Sequence, residues 1–270
     1  MPFAFLKAVV LDWAGTTVDF GSLAPVEALQ RVFAANGVPI SGAEARRHMG
    51  VLKKDQIRSI CGLDRVRGAW ADAHGREPAE GDVERLFSEF LPRQSEILAR
   101  YSTPIPGVVE TVDGWKSAGL RIGSSTGYTR ALMDVVMPVA AADGYSPDAS
   151  VTPEEVGGGR PNPFMCYRNA ILLGVFPLWH CVKIGDTPAD MAEGRNAGMW
   201  TIGLTVSGNE IGLPLEEWEA LPADAQRERE RAAAGRLKAA NAHYTAASLA
   251  DCSPILGEIE ARIAAGEKPL

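Results

Sequence analysis

The chain has 270 residues, 46% of them hydrophobic and 23% charged, with a formal net charge of −7 at pH 7. That length can bury one large core or two smaller ones. The acidic balance disfavours nucleic acid or an anionic membrane as partner, but leaves room for a small anion held by local cations and helix ends.

The first apolar segment, residues 7–13, reads as a buried parallel strand that places Asp12 at its carboxyl end. Residues 20–103 follow with no convincing strand. Their periodicity predicts helices over 25–36, 43–49, 53–61, 66–74 and 83–101, with stops at Gly37, Gly50, Gly62 and Gly75. Strand-like segments return at 120–126, 149–152, 180–186 and 200–206, separated by helical patterns. The order predicts an α/β fold: a Rossmann-like parallel-sheet core of residues 1–19 and 104–270, with a helical cap of 20–103 inserted over the strand ends. A lobe leaving directly from the Asp12 loop is placed to act as a lid that excludes water. The tail from Leu213, with its Arg227-Glu228-Arg229-Glu230-Arg231 run, reads as solvated helix without a function. No apolar run approaches the ~20 residues of a membrane span. Met1 to Val10 has one Lys and no cleavable-signal layout, so the expected location is the cytoplasm. Cys61, Cys166, Cys181 and Cys252 lack Cys-x-x-Cys spacing and are expected to be reduced core thiols.

Open α/β sheets build their sites at the carboxyl ends of strands, and several chemistry-bearing residues fall there. Ser124-Ser125-Thr126 ends the second strand; such hydroxyls can donate to a phosphoryl oxygen or simply cap a helix. Asp186 ends the fourth strand, and Asp190 lies just inside the helix started by Pro188. With Asp12, these acids suit a hard cation such as Mg²⁺. Arg160, after Gly157-Gly158-Gly159, is the expected anion-binding cation, with Arg130 and Arg168 as competitors. In the insertion, Lys53, Gln56, Ile57 and Ile60 share one helix face. Burial and the neighbouring Lys54 would lower the Lys53 pKa and free an amine for attack on an aldehyde. The other reading is a snorkelling Lys in a solvated pair, and spacing leaves both open.

The stretch Asp12-Trp13-Ala14-Gly15-Thr16-Thr17 resembles the Asp-x-Asp-x-Thr opening motif of haloacid dehalogenase superfamily phosphatases, whose second Asp protonates an oxygen leaving group. Here that position is Ala14. Gly185-Asp186-Thr187 with Asp190 resembles the acidic motif of that superfamily, and Thr126 its second motif. More specifically, Leu11 to Asp19, Met49-Gly50 with Leu52-Lys53, Gly127-Tyr128-Thr129-Arg130, Gly159-Arg160-Pro161, Met165-Cys166-Tyr167 and Gly194 to Trp200 resemble the phosphonoacetaldehyde hydrolase (phosphonatase) family through about Gly212. The resemblance implies Asp12 as nucleophile and Lys53 as Schiff-base amine. It implies Mg²⁺ bound through Asp12, the Ala14 carbonyl and Asp186, with Asp190 supporting the metal. Thr126 and Arg160 would hold the phosphonate, beside Met49, Gln56 and Tyr128. It also implies a homodimer formed through the helical cap. Two departures stand out: Gln56 occupies the place of a proton-shuttling His, and Ser22 that of a Cys in some members. His48 or a bound water is the expected substitute for the shuttle. A hydrolase of another phosphonate or a phosphate ester, and a retired module that only binds phosphorylated metabolites, are the competing expectations.

Overall fold

Alternate residues of a strand face opposite sides of a sheet, and the first strand is apolar on both. In β1 (Ala8–Leu11), Val9 and Leu11 join the larger hydrophobic cluster, while Ala8 and Val10 join a smaller one. A strand buried on both faces belongs inside a parallel sheet. In the computed structural model, which describes residues 3–269, the strands are β1, β2 (Arg121–Ser125), β3 (Ala149–Val151), β4 (Cys181–Gly185), β5 (Trp200–Leu204) and β6 (Tyr244–Ala246). All pairs are parallel, in the order β3-β2-β1-β4-β5-β6. Met1, Pro2 and Leu270, which the expected core boundaries include, lie outside the described residues. The α/β fold is as expected; β6, within the charged tail, was not foreseen.

The chain builds outward from β1 through β2 to β3, then crosses back to β4 on the other side. The direction of winding therefore switches between β1 and β4, where such sheets open a crevice at their carboxyl ends.

Between β1 and β2 the described residues form only helices: α1 (Ala24–Ala35), α2 (Gly42–Ala45), α3 (Lys53–Cys61), α4 (Asp64–His74), α5 (Glu80–Leu98) and α6 (Val108–Ser117). Helices α1 to α5 enclose a hydrophobic cluster of their own, with Leu29, Phe33, Ile57, Ile60, Trp70, Leu86 and Phe90 at its centre. The remaining helices, α7 (Arg130–Ala142), α8 (Phe164–Leu173), α9 (Pro188–Asn196), α10 (Leu215–Glu219), α11 (Ala223–Ala239) and α12 (Cys252–Ala264), follow β2. Among the described residues, no helix is long and apolar enough to cross a membrane. All four cysteines are free and buried.

One helix is much shorter than its periodicity predicts. The pattern over 43–49 yields only α2, which a capping box between Ser41 and Glu44 opens and which ends at Arg46. Arg46 leaves the helix to donate to the carbonyls of Gly21 at 2.8 Å, Ser22 at 3.2 Å and Gly212 at 2.9 Å. His48 then takes a left-handed φ of 54°, which no continuing helix allows. The segment becomes a loop that lays Met49 and Gly50 over the strand ends.

Candidate active site

Leu11 pairs with Ser124 on one side and Ile184 on the other, so the loops after β1, β2 and β4 leave the sheet together. The Asp12 N–H donates to the Ile184 carbonyl at 3.0 Å, and its side chain stands in the crevice. The loop then turns at Gly15 with φ +83°; a Cβ there would lie 2.3 Å from Asp186 Oδ2. Only glycine lets the loop pass that close to the second acid.

Asp12, Asp186 and Asp190 are all buried, and ligand oxygens from the three lie within 4.8 Å of one another, a spacing that could hold a metal ion. Asp186 accepts from the Asn209 N–H at 2.7 Å and from Thr16 Oγ1 at 3.4 Å, and among the described residues it has no cation within ion-pairing distance. Burial, reinforced by Asp12 and Asp190, pushes its carboxyl well above the usual range. Asp190 has a second role that its spacing only hinted at: with Thr187 it forms the capping box of α9, its Oδ2 accepting from Thr187 Oγ1 at 2.6 Å. Burial opposes its ionisation, but Arg160 and Lys183 outweigh that and hold it below the usual carboxylate range.

Of the three candidate cations, only Arg160 reaches the crevice. Its Nη2 donates to Asp12 Oδ1 at 2.8 Å and to the Ser125 carbonyl at 2.8 Å, while Nη1 donates to the Gly50 carbonyl at 3.3 Å. Arg130 is turned to Glu155, and Arg168 is exposed. A second buried cation, Lys183, was missed by sequence reasoning. Its Nζ lies 2.9 Å from Asp190 Oδ1, and Arg160 Nη2 lies 3.1 Å from the same oxygen, so the two cations share one carboxylate oxygen as ion pairs. Glu193, also missed, completes the cluster. The available signals were a Lys inside the otherwise apolar β4 and an acid one helical turn beyond Asp190.

The three hydroxyls at the end of β2 part company. Ser124 donates to the Ala149 carbonyl and Ser125 to Glu193, whereas Thr126 lines the cleft and accepts from the Tyr128 N–H at 3.0 Å. Thr129 is the residue that caps the following helix.

Lys53 opens α3, and Lys53, Gln56, Ile57 and Ile60 share one face as the spacing predicts; all four are buried, which decides between the two readings left open for Lys53. Its Nζ lies 2.9 Å from Gln56 Oε1, 3.3 Å from Met49 Sδ and 5.8 Å from the centre of the Tyr128 ring. Gln56 cannot turn away, because its Nε2 donates to the Ala45 carbonyl at 2.8 Å. Among the described residues no carboxylate lies within ion-pairing distance of Lys53. Its pKa falls to about 8: burial is the largest cause, opposed by Asp12 and aided by Arg160. The expected like-charged neighbour is thus corrected. Lys54 is turned outward to Glu84 and Glu80, and the repelling charge is Arg160.

Asp12, Ala14, Ser22, Met49, Lys53, Thr126, Tyr128 and Arg160 line one cleft of about 290 Å³. Gly50 closes its rim with φ +89°, where a Cβ would lie 2.4 Å from Thr187 Oγ1. His48 is exposed and lines a neighbouring cleft with Arg46 and Asn209 rather than this one.

The model of the haloacid dehalogenase-like hydrolase family matches residues 6–198. A phosphonoacetaldehyde hydrolase of Bacillus cytotoxicus is 46% identical over 255 residues, covering 94% of this chain and 97% of that protein. The bifunctional phosphonoacetaldehyde hydrolase/aminoethylphosphonate transaminase of Clostridioides difficile is also 46% identical across 94% of this chain, which spans 40% of that longer protein. The crystal structure of a phosphonoacetaldehyde hydrolase-like protein from Oleispira antarctica superposes with a TM-score of 0.97 at 40% identity, covering 100% of this chain and 98% of the other.

The burial of Lys53 has a measurable cost. Its folded pKa, about 8, is below its unfolded value, so folding is penalised while the amine is protonated in both states. That penalty, about 3 kcal/mol, is present below pH 8 and disappears as pH rises toward 10.5. Lys53→Met is therefore expected to stabilise the fold at pH 7 in urea unfolding, with the gain shrinking by pH 10; a pH-independent loss of stability would contradict this.

Proposed function

The chain belongs to the phosphonoacetaldehyde hydrolase family of haloacid dehalogenase-like hydrolases, and on that premise we propose that it cleaves the carbon–phosphorus bond of phosphonoacetaldehyde to acetaldehyde and phosphate. The observation that carries the reading is a buried amine, without a carboxylate partner among the described residues, in the same cleft as Asp12 and Arg160 and beside an Ala where an acid would serve an oxygen leaving group. Carbon bound to phosphorus cannot leave as a bare carbanion, so an acid at position 14 would not help it. With a pKa near 8, about a tenth of Lys53 is neutral at pH 7, against a few parts in ten thousand for an exposed Lys. Neutral Lys53 condenses with the aldehyde, releasing water and forming an imine. The Asp12 carboxylate attacks phosphorus, and the carbon–phosphorus electrons move into the protonated imine to give an enamine. Water hydrolyses the aspartyl phosphate. Protonation of the enamine carbon and hydrolysis of the resulting imine release acetaldehyde and restore Lys53.

Arg160, held against Asp12, and Thr126 are the proposed phosphonate holders, with Met49, Gln56 and Tyr128 around the aldehyde end. Charge in the crevice fits a divalent cation. Among the described residues, Asp12, Asp190 and Glu193 form ion pairs only with Arg160 and Lys183, and Asp186 has no cation within ion-pairing distance. Asp12, Asp186 and the Ala14 carbonyl would hold Mg²⁺, with Asp190 supporting them. When bound, it supplies positive charge that offsets the charge of nucleophile and phosphonate. We propose that residues 20–103 form a cap over a core of 1–19 and 104–270; the separate hydrophobic cluster of α1 to α5 supports this division.

Homodimerisation is also proposed. Among the described residues, five of the six large exposed apolar side chains favour a contact away from the helical insertion: Phe164, Tyr167, Ile171, Leu172 and Phe176 lie on α8 and the loop after it, and Phe5 lies apart. Ile171→Asp is expected to turn a sedimenting dimer into monomer; a dimer insensitive to this change would return the contact to the insertion.

Two experiments test the catalytic reading. Phosphate release should be rapid from phosphonoacetaldehyde and slow from p-nitrophenyl phosphate, and borohydride added during turnover should label Lys53. Lys53→Arg is expected to lose about 10⁴-fold in kcat, the scale of a missing covalent group; retention of wild-type rate, or preference for the ester, would overturn the reading. At position 56, an amide accepts from Lys53 but exchanges no proton near neutral pH. Gln56→His is expected to raise turnover and add a titration near ~6.5 to the rate profile; an unchanged or lower rate counts against that role.

A further inference from the structure

Glu193 lies one turn beyond Asp190 on α9, so the two acids share the helix face turned to β4. It is completely buried, an expensive position for a carboxylate unless its partners need it there. Its Oε2 accepts from Arg160 Nε at 2.9 Å and from Ser125 Oγ at 2.9 Å, and lies 3.5 Å from Lys183 Nζ. The other oxygen, Oε1, has no hydrogen-bond partner among the described residues. The helix carrying it already lies as close to the sheet as a glycine allows: a Cβ on Gly194 would lie 2.6 Å from Thr201 Cγ2 and 2.7 Å from Lys183 Cβ. Glu193 is thus fixed by backbone packing, while Arg160 arrives on a loop.

A guanidinium is planar and rotates as a unit about its Cδ–Nε bond. Binding at Nε stops that rotation. With Nε held by Glu193, Nη2 is directed at Asp12 and Nη1 at the Gly50 carbonyl. We infer that Glu193 is a positioning residue: it sets the plane of Arg160 so that the Nη1–Nη2 edge, not the Nε side, meets the phosphonate oxygens beside the nucleophile. This rests on the proposed role of Arg160 in holding the phosphonate. Glu193 itself touches no substrate. Its contribution is orientation, and it should be expressed only through the arginine.

The test is a double-mutant cycle read by competitive inhibition with inorganic phosphate, alongside KM for phosphonoacetaldehyde. Glu193→Gln is expected to raise the phosphate Ki and the KM together by about ten- to a hundredfold, the range found when a supporting partner of a binding group is lost. Arg160→Lys, which keeps the charge but not the fork, should raise both as well. In the double variant the two effects should not multiply, because a group that acts through Arg160 has nothing to orient once the fork is gone. Borohydride labelling of Lys53 with acetaldehyde, which carries no phosphonate, should stay within about twofold of wild type, a readout that general loss of structure would change. If the Gln variant does not fold, Glu193→Asp carries the same cycle with a severalfold rise in Ki. An unchanged Ki in a folded Glu193 variant, or effects that multiply, overturns the inference while leaving the arginine's role standing. An unchanged Ki in Arg160→Lys removes that role, and the inference with it.

Discussion

The cost of removing charge from water governs this molecule. At the carboxyl ends of β1, β2 and β4, burial opposes every ionised side chain, and most of them are retained by a partner of opposite sign: Arg160 by Asp12, Asp190 and Glu193, and Lys183 by Asp190 and Glu193. Lys53 faces the same penalty without such a partner among the described residues. It meets a neutral amide oxygen and a thioether, both too weak to hold an ammonium at its ordinary pKa. The protein responds in the one way left, by lowering the proton affinity of the amine. A structural liability and a reactive group are the same atom.

The fold makes that arrangement possible. The switch in winding direction between β1 and β4 opens the crevice, and glycine clears it where side chains would collide. Gly15 lets the first loop touch Asp186, and Gly50 lets the loop before α3 rest on Thr187. Arg46 ties this loop segment to Gly21, Ser22 and Gly212, so Met49 and Lys53 sit against the strand ends rather than in water. The Gly50 carbonyl also accepts from Arg160, which joins the anion-binding group to the loop that covers it. Desolvation of Lys53 thus depends on contacts made far from its own helix.

Much of this was legible in the sequence, for identifiable reasons. Asp12, Thr126 and Asp186 each follow a strand-like segment, so their convergence needs only parallel pairing. Helical spacing puts Lys53, Gln56, Ile57 and Ile60 on one face, but whether Lys53 is buried or snorkels is decided only by the packing of α3 over the strand ends. Other features depend on contacts that no local pattern encodes. The segment 43–49 reads as helix, but Arg46 finds better partners across the crevice and the helix stops early. Lys54 looks like the neighbour that perturbs Lys53, yet adjacent residues on a helix point apart, and the perturbing charge comes from residue 160. Lys183 and Glu193 each carry a local signal, but that signal names no partner; only the approach of α9 to β4 gathers them into one cluster with Asp190 and Arg160.

The central claim is that Lys53 carries an uncommitted lone pair near neutral pH because its surroundings are dry and lack a counter-charge. The most direct check is the titration of its side chain by NMR in the intact, lysine-labelled protein, assigned by comparison with Lys53→Arg. A midpoint near 8 is expected. A midpoint at or above ~10, the value of an exposed lysine, would contradict the claim.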